Sequence, residues 1–273
     1  MSIINFNLPL AIKIRKQIAQ VLSDFNMIED GDRILVCVSG GKDSSVLLAL
    51  MTEIQRRSER KFELEAAILD QKQPGFDASK FKHWVESLGI RLHVIEKDTY
   101  TIVKEKSQGS TFCSLCSRLR RAILYDFAFD NGFTKIALGH HRDDVVHTAL
   151  LNLFYVGTMA AMPAKLRSDD ERNILIRPLS YVSERDIETL AKEWSFPIIP
   201  CNLCGSQDGL KRQRVKKLVR DMELEIPNIY ASIHTALGNV KPSQLLDQQL
   251  WNFKGLKALR PQEDRNHPES FEK

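Results

Sequence analysis

A parallel α/β sheet with helices on both faces is what the 273-residue sequence predicts, and three observations predict it. Short runs of branched apolar residues alternate along the chain with stretches whose apolar residues recur at helical spacing. One run, Ile34 to Val38, is apolar at every position, as in a strand buried on both faces. Two runs end in clusters of glycine and polar residues, the place where open sheets of this kind bind ligands. Taken in order, the spacing predicts a helix over 9–25, a strand over 33–38 and a helix over 43–56, with Val46, Leu47, Leu50 and Met51 on one face. FELEAAILD predicts a strand over 62–70, followed by a helix over 77–88 and a strand, RLHVI, over 91–95. A helix over 114–131, a strand over 134–138, a helix over 143–155 and a strand over 174–177 complete the alternation. A basic helical extension follows toward the C-terminus, and the polar stretch 260–273 is expected to be disordered.

Composition bounds the function. Hydrophobic residues make up 43% and charged residues 27%, ordinary usage for a chain with a large core. The first apolar patch is broken by Asn5, Asn7 and Pro9, and no apolar run approaches the roughly 18 residues of a membrane span. The expectation is a cytoplasmic protein with no membrane partner. A formal charge of +4 permits a nucleic-acid partner without demanding one.

The first polar cluster is Ser39-Gly40-Gly41-Lys42-Asp43-Ser44, between the buried strand and a helix. Glycines there let the backbone approach a ligand, and the helix N-terminus offers N–H groups to an anion. A Walker A loop would need glycine at Val36 and Ser or Thr at Asp43, and a Rossmann turn would need a third glycine. The six residues instead resemble the pyrophosphate loop of the PP-loop ATPases, which split ATP between its α and β phosphates and activate a substrate oxygen as an adenylate. The second cluster, Gly139, His140, His141, Arg142, Asp143 and Asp144, follows another strand. If both strand ends face one crevice, the acidic pair can hold magnesium on a triphosphate, with Thr148 one turn on to steady Asp144.

Four of the five cysteines form two C-x-x-C pairs, Cys113 with Cys116 and Cys201 with Cys204, while Cys37 sits in the apolar strand as a core residue. Two such pairs in a reducing compartment point to a metal rather than to disulfides. Spacing alone leaves zinc and an iron–sulfur cluster both open. Arg118, Arg120 and Arg121 follow the first pair. The stretch LKRQRVKKLVRDM at 210–222 follows the second, with Val215, Leu218, Val219 and Met222 on one face. Its cations, Arg212, Lys216 and Lys217 among them, fall largely on the other face and suit RNA phosphates. Few aromatic residues interleave, which favours a folded RNA read by shape.

Together SGGKDS, LDQKQPGF, CSLCSRLRR, KIALGHHRDD and FPIIPCNLCGSQ resemble, in order, the bacterial tRNA-cytidine 2-thiolation (TtcA) family of PP-loop enzymes, over residues 10 to 257. The resemblance implies a PP-loop fold divided into an N-terminal helical segment (1–32), an ATP-binding domain with the first cysteine pair (33–195), a basic cysteine-bearing segment (196–259) and the tail. It also implies ATP with magnesium, a [4Fe-4S] cluster on Cys113, Cys116 and Cys204 with Cys201 left over, and a homodimer. The implied reaction is thiolation of cytidine 32 in tRNA, with sulfur from a cysteine desulfurase. ATP contacts are then expected from Ser39, Gly40, Gly41, Lys42, Asp43, Ser44, Asp70, Gly139 and His140. Lys42, Asp43, Asp143 and Asp144 are the expected catalytic groups, with Asp43 and Asp144 as magnesium ligands. Related enzymes commonly carry Glu where this chain has His147, which is therefore expected at the surface or behind the site. A zinc-containing PP-loop tRNA ligase and a non-catalytic RNA-binding redox sensor are the alternatives.

Overall fold

A computed structural model describes residues 4–106, 112–199 and 208–258. The first helix, α1 (Pro9–Asp24), opens on Pro9, whose fixed φ suits a first turn, and buries Ala11, Ile14, Ile18 and Val21 along one stripe. Then come β1 (Arg33–Val38), α2 (Lys42–Arg57), β2 (Glu63–Asp70), α3 (Ser79–Ser87) and β3 (Leu92–Glu96). After α4 (Thr99–Lys106) and α5 (Phe112–Asp130), β4 (Lys135–Leu138) leads into α6 (Arg142–Leu151). The edge is finished by β5 (Lys165–Arg167) and β6 (Ile174–Ile176), before α7 (Glu184–Trp194), α8 (Asp208–Glu223) and α9 (Ile229–Leu237).

The strands lie in the order β3-β2-β1-β4-β6-β5. All neighbours are parallel except β5, which runs antiparallel to β6. Side chains of β1 alternate between two cores. Ile34, Val36 and Val38 pack with α1, α2, α3 and α7, while Leu35 and Cys37 pack with Leu124 and Ala128 of α5. Such burial on both faces is why β1 is apolar throughout. The chain builds outward from β1 to β3 and then returns to β4 on the other side of β1. The switch point of the sheet therefore lies between β1 and β4, whose carboxyl ends carry the two polar clusters.

Several elements differ from the sequence expectation. The helix expected over 143–155 ends at Leu151 and widens into a π turn, Asn152–Val156, stopped by Gly157 in the left-handed region (φ 75°). Alternation did not signal α4, α7, α9 or the antiparallel β5. The apolar face of α8 is narrower than expected: Val215 and Val219 are buried with Val146, Ile229 and Tyr230, but Leu218 and Met222 stay largely exposed. The compact units of the chain are Met1–His234 and Thr235–Lys273, the smaller one carrying the short turns Pro242–Gln244 and Phe253–Gly255.

Candidate active site

The turn after β1 is held by its own serines. Ser44 Oγ accepts from the Ser39 N–H (3.1 Å) and donates to the Gly41 carbonyl (3.1 Å), and Ser45 Oγ donates to the same carbonyl (2.9 Å). Gly41 is the N-cap of α2 and no side chain caps the helix, so its first N–H groups are presented to whatever binds there. Gly40 has φ 76°, and a Cβ on it would come within 2.7 Å of Ile199, which donates its N–H to the Gly40 carbonyl (3.0 Å). A Cβ on Gly139 would lie 3.1 Å from the backbone of Ser44. Glycine at 139 relieves a tight contact where the end of β4 meets the start of α2, since a side chain there would force Ser44 to shift by a few tenths of an ångström.

The two strand ends line one cavity of about 530 Å³. Ser39, Asp43 and Ser44 border it from the first cluster, and Gly139, His140 and Asp144 from the second. Its apolar lining includes Cys37, Leu69, Leu124, Leu138 and Leu175. Asp43 and Asp144 face the same imidazole: buried His141 Nε2 lies 3.4 Å from Asp144 Oδ2 and 4.0 Å from Asp43 Oδ1. Burial alone would raise the Asp144 carboxyl, but His141, Arg212 and His140 outweigh it and hold the group below the usual range. Asp43 and Asp144 on one wall form an oxygen donor set of the kind magnesium takes.

Lys42 opens α2 and turns toward α7. Its Nζ lies 2.9 Å from Asp43 Oδ1, 3.7 Å from Glu184 and 3.8 Å from Glu188. Burial opposes its charge, yet the bond to Asp43 and the two glutamates prevail and raise its pKa, so Lys42 is a fixed cation beside the loop. Asp143 is directed elsewhere. It accepts from Arg142 Nε (3.0 Å) and from the Glu184 N–H (3.1 Å), tying α6 to α7, and it does not line the cavity. Asp70 likewise pairs with Lys72 (2.7 Å to its N–H, 3.0 Å to Nζ) outside the cavity wall. Thr148 Oγ1 donates to the Asp144 backbone carbonyl (2.8 Å), not to its carboxylate.

His147 is not at the surface. It is 3% exposed, its Nε2 lies 3.2 Å from the Tyr230 hydroxyl, and burial pulls its pKa down to about 4 against the opposing carboxylates of Asp143 and Asp144. His140 is also lowered to about 4 by burial, so both imidazoles are neutral at pH 7. Cys37 packs in the core as expected, and burial pushes its thiol up to about 12.

Cys116 lies on α5 one turn after position 113, and its Sγ donates to buried Gln71 Oε1 (3.2 Å). Thr99 Oγ1 donates to the same oxygen (3.1 Å). Cys201 and Cys204, and the side chain of Cys113, lie outside the described residues. Arg120 and Arg121 border the cavity, whereas Arg118 is exposed and away from it. Arg212 and Lys216 on α8, expected to meet RNA, also pair with carboxylates of the chain, Arg212 from an exposed position and Lys216 half-buried. Arg212 pairs with Asp144 (3.0 Å) and Lys216 with Glu184 (2.6 Å). Lys217 is exposed and pairs with Asp221 one turn on (2.6 Å). Gln71 and Arg177, which line the cavity, and Glu184, which pairs with Lys42 and Lys216, were not singled out by the sequence pattern. Two of them carried a signal: Gln71 follows a strand directly within LDQKQPGF, and Ser183 precedes Asp186 as an N-cap that announces α7.

A family model described as the PP-loop domain matches residues 10–200. A protein of Bdellovibrio bacteriovorus named tRNA-cytidine(32) 2-sulfurtransferase is 81% identical over 94% of this chain and 99% of its own length. The chain belongs to the PP-loop family, among the tRNA-cytidine(32) 2-sulfurtransferases. A relative of the same name from Coxiella burnetii is 52% identical over 89% of this chain and 96% of its own. The U34-tRNA thiolase NcsA from Methanococcus maripaludis, solved with its [4Fe-4S] cluster, superposes with a TM-score of 0.67 over 84% of this chain and 78% of that one. At 20% identity it shows the shared fold. Membership of the sulfurtransferases accounts for a nucleotide loop and an acidic strand end on one wall. Among the described residues no helix is long and apolar enough to cross a membrane.

Proposed function

We propose that this chain replaces the C2 oxygen of cytidine 32 in tRNA with sulfur, at the expense of ATP. One observation carries the reading: the Ser39–Ser44 loop and Asp144 meet on a single cavity, at the switch point of the sheet, in a chain 81% identical to a protein named for this reaction. Attack of the cytosine C2 oxygen on the α-phosphorus of ATP expels pyrophosphate and leaves an adenylate at C2. Sulfur then adds at C2, the C–O bond breaks, and AMP departs with the original oxygen. The free N–H groups of α2 and the Lys42 ammonium stabilise charge on the departing pyrophosphate. Asp43 and Asp144 would hold magnesium, and the apolar lining excludes water that would otherwise hydrolyse the adenylate.

The donor set also fits a cluster. Cys116 on α5 offers a soft sulfur beside the cavity, one turn from Cys113, and thiolates are the ligands that iron–sulfur clusters take. Cys113, Cys116 and Cys204 would hold a [4Fe-4S] cluster, which when bound supplies an iron not closed by protein thiolate, able to carry sulfide. A cysteine desulfurase is the sulfur source. The working form is a cytoplasmic homodimer, and the exposed apolar run Leu153, Phe154, Tyr155, Val156 and Met159 supports self-association. Lys217, Arg118, Arg120 and Arg121 contribute to RNA binding. The names of the relatives support this reading over a zinc-dependent ligase or a redox sensor.

Mass spectrometry of tRNA nucleosides from cells with and without the gene tests it. Deletion should remove 2-thiocytidine, and the wild-type chain should restore it. Unchanged 2-thiocytidine in the deletion strain would overturn the assignment.

A further inference from the structure

Arg177 follows β6 and borders the cavity, yet it is only 7% exposed. Its Nη1 donates to the Pro163 carbonyl (2.5 Å), while its Nε is buried with no hydrogen-bond partner among the described residues. No described carboxylate lies within ion-pair distance of it. Asp169 on the same wall is exposed, and Asp144 is engaged by Arg212. A buried guanidinium is ordinarily matched by a carboxylate or an anionic ligand, because desolvating the charge alone is costly. Further cations line the same cavity. Ser117, Arg120, Arg121 and Leu124 border the cavity from α5 at i, i+3, i+4 and i+7, one helical face, so two more guanidinium groups look into the same space.

We propose that Arg177, together with Arg120 and Arg121, forms a phosphodiester subsite that grips the RNA backbone beside cytidine 32 while its base lies over the apolar lining of the cavity. The triphosphate belongs to the loop after β1. Arg177 lies two strands away in the order β1-β4-β6, about 10 Å at ordinary strand spacing, so it addresses a second anion. A base that reacts at C2 enters a cavity with its own phosphates behind it, and an arginine fork matches a phosphate in two parallel hydrogen bonds.

This inference rests on tRNA being the substrate, and the test separates the two. Binding of an anticodon stem-loop RNA to the cluster-loaded protein is measured with a nonhydrolysable ATP analogue present. The phosphates on either side of residue 32 are replaced one at a time by neutral methylphosphonate. In the wild type one replacement should weaken binding about tenfold or more, the size of a charge-assisted contact. In Arg177→Gln the same replacement should change binding by no more than about twofold, and affinity for the ATP analogue should match the wild type within about twofold. Arg177→Lys keeps the charge and should retain most of the phosphate effect. Equal losses in wild type and Arg177→Gln would overturn the subsite, as would a fall in ATP affinity matching the fall in RNA affinity. Should Arg177→Gln not fold, a wild type indifferent to both phosphates would overturn it as well. A wild type that binds no stem-loop would instead overturn the tRNA reading itself.

Discussion

The N-termini of α2 and α6 follow neighbouring parallel strands and border the same cavity, yet they are built with opposite electrostatics. At α2 two glycines and a Gly41 N-cap leave the first N–H groups uncapped, and Lys42 adds a positive charge. At α6 the third helical residue, Asp144, turns back to accept the His141 N–H (3.2 Å) and keeps its carboxylate on the wall. The first end suits a polyanion and the second suits a cation. One topology, a strand followed by a helix, thus yields complementary halves of a site for a magnesium-bound triphosphate. The difference lies in two or three residues at each turn. Gly139 lets the halves meet, because any side chain there would press on Ser44.

Removing the cation from the anion-binding half should cost most. Lys42→Ala should lower thiolation by about 10²- to 10³-fold, the cost of losing one preorganised charge at a developing anion. Iron per chain should stay near wild type, since the loop and the cysteines lie on separate segments. Parallel loss of iron and activity would make the loop structural rather than catalytic.

A smaller effect probes the acidic half through pH. His147 is held neutral behind Asp143 and Asp144, with a folded-state pKa of about 4 against about 6.5 in an unfolded chain. The unfolded state therefore binds the proton first. Stability is unaffected above about pH 6.5, falls as pH drops from there, and has lost the whole contribution below about pH 4, on the order of 1–3 kcal/mol. Denaturant titrations of wild type and His147→Gln at pH 7.5 and pH 5 check this, and the variant should lose less stability on acidification. Equal losses would remove His147 from the acid response.

The smallest effect tests how the two halves are bridged. Arg212 is partly exposed and pairs with Asp144, so Arg212→Gln should cost only about 0.5–1 kcal/mol. That cost should appear as a change of a few fold in nucleotide affinity, with the salt dependence of tRNA binding unchanged. A flatter salt slope would return Arg212 to the RNA surface.

The sheet and the loop were legible because their signals are local. An apolar run bounded by glycines reads as a strand end whatever surrounds it, and β1 and β4 fell where the spacing put them. The partnerships inside the site were not legible. That Asp144 faces the cavity while Asp143 faces α7 depends on a one-residue rotation around α6, and nothing in the adjacent pair distinguishes them. Arg212 and Lys216 read as an outward charge run because helical spacing shows which residues share a face. It does not show which carboxylates another helix brings to that face, and Glu184 arrives on α7, an element the alternation did not reveal. Arg177 was hidden for the same reason. A lone arginine after a short strand becomes conspicuous only when its burial is known.

In the proposed reaction the C2 oxygen itself becomes the adenylate linkage. A single turnover of the cluster-loaded protein with ATP and tRNA carrying oxygen-18 at C2 of cytidine 32 tests it directly. Every 2-thiocytidine formed should be matched by an AMP bearing the label in its phosphate, with unlabelled pyrophosphate. Unlabelled AMP alongside 2-thiocytidine would contradict it.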